Sequence, residues 1–240
     1  MPIKIKRYGL AKDSGGAGKY RGGTAIEMWF EALAPNTRVT ARNMDRTRFT
    51  SWGVQNGRAG APSYFLLNPN TNAERNLGNL DFIKIGPGDV VHVASGGAGG
   101  WGNPLERDID AVFQDVKRGF VSQKSALEDY GVVISNESYD LEATEKRRSE
   151  LMNSFADNDF FDYGVGRVEY EKIWNKANYD TLTKILARIP IHWRFFIKHR
   201  IFEMVGNQET LDSGEKISTY FEGLLTEFPQ LDETLRKETD

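Results

Sequence analysis

Lys19 follows a glycine cluster in KDSGGAGKYRGG, Lys12 to Gly23. A lysine so placed could reach the terminal phosphates of a nucleotide while backbone N–H groups cradle the others. The phosphate loop proper reads G-x-x-x-x-G-K-[ST], and this stretch departs from it twice. Asp13 occupies the first glycine position, and Tyr20 stands where Ser or Thr would hold magnesium. A second cluster, GAGGWG from Gly97 to Gly102, satisfies G-x-G-x-x-G by the letter, but Asn103 and Pro104 follow where the helix should begin. Without a strand–turn–helix context that pattern is not a dinucleotide site.

The remaining chemistry-bearing residues are sparse. The three histidines are His92, His192 and His199. The last two share a helix face seven residues apart, yet a metal would need further ligands from elsewhere, and local hydrogen bonding is the ordinary role of scattered histidines. DNDFFD, Asp157 to Asp162, opens like a calcium loop but places Phe161 at the fifth position and no glycine at the sixth; it reads as a solvated turn. There is no cysteine, hence no disulfide and no thiolate ligand, and no G-x-S-x-G elbow presents a serine nucleophile. No catalytic residue and no metal site is therefore assigned from the residues themselves.

The elements that must position these clusters change character along the chain. Of the 24 glycines, 17 lie at or before Gly102. In that part TAIEMWFEAL, TRVTAR, SYFLLNP and DFIKIGPGDVVHVAS are short β-branched or aromatic runs between turn signals, the mark of an antiparallel sandwich or barrel-like sheet. Within DVVHVAS, Val91 and Val93 face one way and Val90, His92 and Ala94 the other. From Asp108 the period becomes helical. Asp108 is a natural N-cap for IDAVFQDVKR, with Gly119 at its C-terminal cap, and Ser122 caps QKSALEDY, ended by Gly131. EATEKRRSELMNSFADND is so densely charged that it reads as a solvated helix and linker. In VEYEKIWNKANYDTLTKILARI an apolar stripe from Ile173 and Trp174 to Ile189 predicts one long helix. Pro190 ends it and starts the next, Ile191 to Val205.

That helix, IHWRFFIKHRIFEMV, is apolar nearly all round yet basic. It is either the core of a small bundle or an interface helix, with Trp193, Phe196, Lys198 and Arg200 as the interface residues. A last amphipathic helix carries Ile217, Phe221, Leu224, Leu225 and Phe228. The expected class is α+β: a Gly-rich antiparallel β domain with a short helical hairpin over 1–134, then a helical extension over 135–240. An apolar fraction of 39%, a charged fraction of 27% and a net charge of -3 leave no transmembrane run and no broad basic field. Neither a membrane nor a nucleic acid is an expected partner, and the cytoplasm is the expected compartment.

The glycine clusters taken together do identify a family. RYGLAKDSGGAGKYRGG, SWGVQNGRAGAPS and IGPGDVVHVASGGAGGWGNPLERDIDAVFQDVKRGFVSQKSALEDYGVVI, in that order over Tyr8 to about Ile134, closely resemble the C-terminal region of the hydantoinase B and 5-oxoprolinase family. Ala98 departs from the unbroken glycine run common there. The resemblance implies ATP-dependent chemistry on amides or carbonyls: opening of hydantoins, 5-oxoproline and lactams, or carboxylation of ketones such as acetone and acetophenone. It places no cofactor in this chain; ATP and a divalent metal belong to partner subunits. Those partners are a hydantoinase A-like subunit and an N-terminal hydantoinase B-like polypeptide, since only the C-terminal portion of a B-type subunit is present. The tail beyond Ile134 is similar to those of acetone and acetophenone carboxylases, so the expected role is a structural or site-completing subunit of a ketone carboxylase. A hydantoinase, 5-oxoprolinase or lactamase subunit, or a stand-alone interaction module without catalysis, are the alternatives. Within the motif, Asp13, Ser14 and Arg21 are the candidate substrate-binding residues, able also to bond nearby backbone or the companion chain; Arg can hold a carboxylate or phosphate by two parallel bonds.

Overall fold

A computed structural model describes residues 1–41, 45–78, 80–135, 138–154, 160–206, 211 and 214–231. The class is α+β, as expected. The chain divides into two compact units, Met1–Gly166 and Arg167–Asp240.

In the first unit the strands are β1 (Ile3–Leu10), β2 (Ile26–Ala32), β3 (Thr37–Ala41), β4 (Gly53–Val54), β5 (Tyr64–Leu67), β6 (Arg75–Asn76), β7 (Leu80–Ile85), β8 (Val90–Ala94), β9 (Val133–Ser135), β10 (Ser138–Asp140) and β11 (Phe161–Asp162). A five-stranded sheet has the order β1-β2-β8-β5-β6, with every pairing antiparallel. β3 and β7 pair separately. Side chains alternate across each strand, so Phe30, Ala32, Phe65, Leu67 and Val91 point to one side, where Ile85 of β7 closes the core with Val39 and Ile83. GPGD thus turns a corner between sheets rather than closing a hairpin. Gly88 there has φ +88°, and the Asp89 carboxylate accepts the Gly86 N–H at 2.8 Å, a bond that holds that carboxyl below its ordinary range. β1 was not read as a strand, although Ile3, Lys4, Ile5 and Lys6 alternate as one does; its side chains stay largely exposed.

Helices α1 (Ile109–Lys117) and α2 (Gln123–Glu128) carry the expected caps: Asp108 accepts from the Ala111 N–H and Ser122 from the Ser125 N–H. Gly119 and Gly131 have φ +78° and +64°, a backbone that glycine adopts without cost. The charged stretch after Asp140 forms α3 (Leu141–Ser154), a helix largely exposed as expected, whose Thr144 and Arg148 anchor it within this first unit. Thr144 is fully buried and its hydroxyl accepts the Val133 N–H, while Arg148 donates to the carbonyls of Tyr130 and Arg107. The compact unit accordingly runs past Ile134 to Gly166. Asp157 and Asp159 of the calcium-like turn lie outside the described residues.

The second unit holds α4 (Val165–Ile173, its last seven residues), α5 (Lys176–Arg188), α6 (Ile191–Val205) and α7 (Glu215–Glu227). The single long helix expected across Ile173 is two. Asn175 caps α5 by accepting the Asn178 N–H at 3.0 Å, and buried Asn178 donates its amide to the carbonyls of Ile173 and Leu211. An N-cap with its own partners outweighs the unbroken apolar period. Pro190 sits at the N-cap of α6. Leu182, Ile185, Ile197, Ile201, Ile217 and Leu224 form the core of this unit.

Candidate functional site

The three glycine clusters lie against one another without forming a sheet. Gly16 N–H donates to the Ala98 carbonyl at 2.8 Å, Arg58 N–H to Ala17 at 2.7 Å and Gly100 N–H to Arg58 at 2.9 Å, while Tyr20 and Trp101 exchange backbone bonds of 2.9 Å each way. Contact this close is possible only where side chains are missing. A Cβ on Gly97 would lie 1.7 Å from the Ser14 carbonyl oxygen, and one on Gly99 would lie 1.6 Å from that of Trp52. Ala98 fits because its own position is exposed, so its methyl group meets solvent rather than backbone. The glycines of DSGGAGKYRGG therefore build a backbone-packed core, and no phosphate cradle is needed to account for them.

Asp13, Ser14 and Arg21 are spent on holding that core. Asp13 takes φ +58°, and its carboxylate accepts the Ser122 N–H at 2.6 Å. Buried Ser14 donates to the Ala11 carbonyl at 2.6 Å and accepts the Ala25 N–H at 2.8 Å. Arg21 reaches Asp115 of α1 through Nε at 3.0 Å and Nη2 at 3.4 Å, donates from Nη1 to Gly22, and lies over the Phe120 ring. Arg107 adds a second guanidinium to Asp115 at 2.9 Å. Asp13 borders an open cleft of about 310 Å³ with Ser122, Lys124 and Asp129, a cleft that neither Ser14 nor Arg21 lines. Asp115 and Arg107 escaped notice in the sequence. The readable signal was an acid one turn beyond Val112, on the buried side of an amphipathic helix.

Beside the glycine core lies a cleft of about 520 Å³ lined by Lys19, Gln55, Asn56, Trp101, Asn103 and Glu106, among others. Gln55 and Asn56 have φ +50° and +68°, and Gly57 N–H closes the turn on Val54 at 3.0 Å. Asn tolerates the left-handed region in tight turns, whereas for Gln55 it costs about 1 kcal/mol. Both residues line the cleft, beside the exposed indole of Trp101 and the 3.1 Å Lys19–Glu106 ion pair. Amides and an indole offer hydrogen bonds and a flat apolar surface.

A third group lies on the outer face of the five-stranded sheet, opposite the core. Glu27 and His92 are buried with His92 Nε2 at 2.9 Å from Glu27 Oε2, and Tyr64 Oη stands 3.2 Å from the same nitrogen. Arg7 pairs with the other oxygen of Glu27 at 2.7 Å, and the Trp29 ring stacks on His92 at 3.8 Å. Burial pulls the His92 pKa below its ordinary value, against the opposing hydrogen bond and charge of Glu27. Burial and the Glu27 charge raise that of Tyr64. His92 thus satisfies local hydrogen bonds, and its partners come from strands that sequence spacing does not bring together.

In the second unit, Ile197, Ile201 and Val205 turn α6 into the core. Of the four interface candidates, Trp193 packs on Phe228 and Phe196, Phe196 meets Phe228 edge-on at 5.1 Å, the Lys198 ammonium lies over Phe202, and Arg200 pairs with Glu203 and Glu227. The large apolar side chains of α6 most open to solvent are Ile191 and Phe195. No helix among the described residues is long and apolar enough to cross a membrane.

Residues 1–104 match the family model described as hydantoinase B/oxoprolinase, the family whose C-terminal region the glycine clusters resemble. The chain is 38% identical over 152 residues to an uncharacterized protein of Methanocaldococcus jannaschii, covering 61% of this chain and 26% of that protein. It is 34% identical over 164 residues to the caprolactamase subunit beta of Pseudomonas jessenii, covering 62% and 26%. With the acetone carboxylase alpha subunit of Xanthobacter autotrophicus the identity is 27% over 168 residues, covering 52% and 20%. The chain therefore spans only about a quarter of the length of the first two relatives.

Proposed function

We propose that this chain, with its hydantoinase B/oxoprolinase segment at residues 1–104, is one part of a multi-subunit ATP-dependent enzyme and completes an active site rather than containing one. Its polar motif residues support this reading, because Asp13, Ser14 and Arg21 are each engaged by partners of the same chain. The open cleft is lined by Gln55, Asn56, Trp101 and Asn103 together with the Lys19–Glu106 ion pair, groups that can orient a carbonyl compound or a neighbouring backbone. In this reading ATP and a divalent metal are bound by the A-like partner, and the N-terminal B-like polypeptide supplies the facing wall of the cleft.

Ketone carboxylation is the reaction we assign, from the likeness of the tail beyond Ile134 to acetone and acetophenone carboxylases. A second reading, opening of a cyclic amide, is favoured by the higher identity to a caprolactamase subunit, 34% against 27%. Both reactions polarise a carbonyl, so the cleft alone does not separate them. Expressing the chain with its companions and supplying ATP with either bicarbonate and short ketones or lactams and hydantoins does. Turnover of ketones with consumption of bicarbonate supports carboxylation; turnover of cyclic amides alone replaces it with the second reading.

A further inference from the structure

Strand β1 ends the five-stranded sheet, and its outer edge carries no partner strand among the described residues. Alternate residues of an edge strand point their N–H and C=O groups away from the sheet, which makes an edge a template for another strand. Directly paired residues of an antiparallel ladder share a face. Ile3 pairs with Ala32, Ile5 with Phe30 and Tyr8 with Met28, so their side chains lie on the side of the sandwich core. Yet none joins that core: the β3–β7 layer closes over β2, β5 and β8, while Ile3, Ile5, Tyr8, Leu10 and its neighbour Ile26 are 43% to 69% exposed. The core side of the sheet is covered over β2, β5 and β8 and bare over β1.

The charges say what the missing strand looks like. β1 carries Lys4, Lys6 and Arg7 and no acid, and its one described neighbour, β2, answers with Glu31 and Glu27 at 3.3 and 2.7 Å. A second copy of β1 laid along the edge would set cations against cations, which is unfavourable across a ladder. We propose that the edge of β1 takes a strand from a companion polypeptide, apolar on the side of Ile3 and Ile5 and acidic on the side of Lys4 and Arg7. Strand addition of this kind draws affinity from backbone bonds and selectivity from alternate side chains. The proposal rests on the functional reading above only in taking the donor to be the rest of a B-type enzyme.

The test extends the full chain at its N-terminus by a designed strand of about nine residues through a flexible linker of about six, so that pairing is intramolecular. Three versions are compared: valine inward with glutamate outward, valine inward with lysine outward, and glutamate inward with valine outward. The first is expected to slow exchange of alternate β1 amides by at least about tenfold and to raise Tm, with the other two close to the unextended chain. Equal protection in all three, or protection in none, overturns the proposal. So does an unextended chain that is dimeric with its β1 amides already slow, since a second copy then holds the edge. These readouts need neither ATP nor a companion, so a failure here leaves the functional reading standing, and inactive subunits leave the strand result standing.

Discussion

Arg21 and Asp115, ninety-four residues apart in the chain, meet in a two-pronged ion pair at 3.0 and 3.4 Å. The pair ties the first glycine cluster to α1, and both side chains are largely shielded from solvent. Arg107 brings a second cation to the same carboxylate, bonding Oδ2 at 2.9 Å.

Removing the acid should therefore leave two cations facing each other away from bulk water. Asp115→Ala is expected to cost about 3–5 kcal/mol, the range for breaking a shielded pair by deleting one partner. Arg21→Lys should cost less but still lose the paired geometry. Urea denaturation of the chain measures both, and a loss under about 1 kcal/mol for Asp115→Ala would show that the pair is merely superficial.

Gly22 and Gly23 are neighbours with opposite expectations. A Cβ on Gly22 would sit 2.0 Å from the Ala98 carbonyl oxygen, whereas one on Gly23 would meet only the Ala98 methyl at 3.9 Å. Gly22→Ala should disrupt the backbone-packed core by more than the roughly 1–3 kcal/mol usual for overpacking, because backbone cannot swing aside. Gly23→Ala should stay within about 1 kcal/mol of the parent. Thermal melts of the two variants decide it, and equal losses would contradict the packing described.

Much of this was open to inspection in the linear sequence. The caps at Asp108 and Ser122, the turn at GPGD and the stop at Pro190 were legible because each depends on neighbours a few residues away. What escaped depends on distant partners. The break at Asn175 is held partly by Leu211, the anchoring of α3 by Tyr130 and Arg107, and the Glu27–His92–Tyr64 group by three strands. Strand β1 was missed although its opening Ile3-Lys4-Ile5-Lys6 alternates apolar and polar residues as a strand does. The site residues divide along the same line. Asp13, Ser14 and Arg21 were visible as polar groups among glycines, but their engagement with Ser122, Ala25 and Asp115 was not.

His92 gives the stability a pH dependence of definite sign. Burial lowers its pKa in the folded chain from the ordinary 6.5, so as pH falls through about 6.5 the unfolded chain takes up the proton first and stability declines. The decline ends once pH passes the folded value. The facing groups are Glu27, Tyr64, Arg7 and Trp29. Subtracting the stability of His92→Gln from that of the parent should leave a difference that rises with pH across the interval below about 6.5. A difference that falls with pH would mean that Glu27 outweighs burial.

In the second unit, Ile201 is fully buried in α6 while Phe195 is 80% exposed. Ile201→Ala should cost about 2–5 kcal/mol, and Phe195→Ser should change stability by no more than about 0.5 kcal/mol. Guanidinium unfolding followed by tryptophan fluorescence reads both. A large loss from Phe195→Ser in the isolated chain would mean that this ring is covered.

The central claim is that the cleft beside Gln55, Asn56 and Trp101 becomes an active site only when other polypeptides close it. Titrating this chain into its purified companions, with ATP and substrate present, measures that directly. Turnover should be near zero without it and should saturate at a fixed ratio. Trp101→Ala should lower the plateau while leaving assembly and melting unchanged. Companions that reach full turnover before any of this chain is added would contradict the claim.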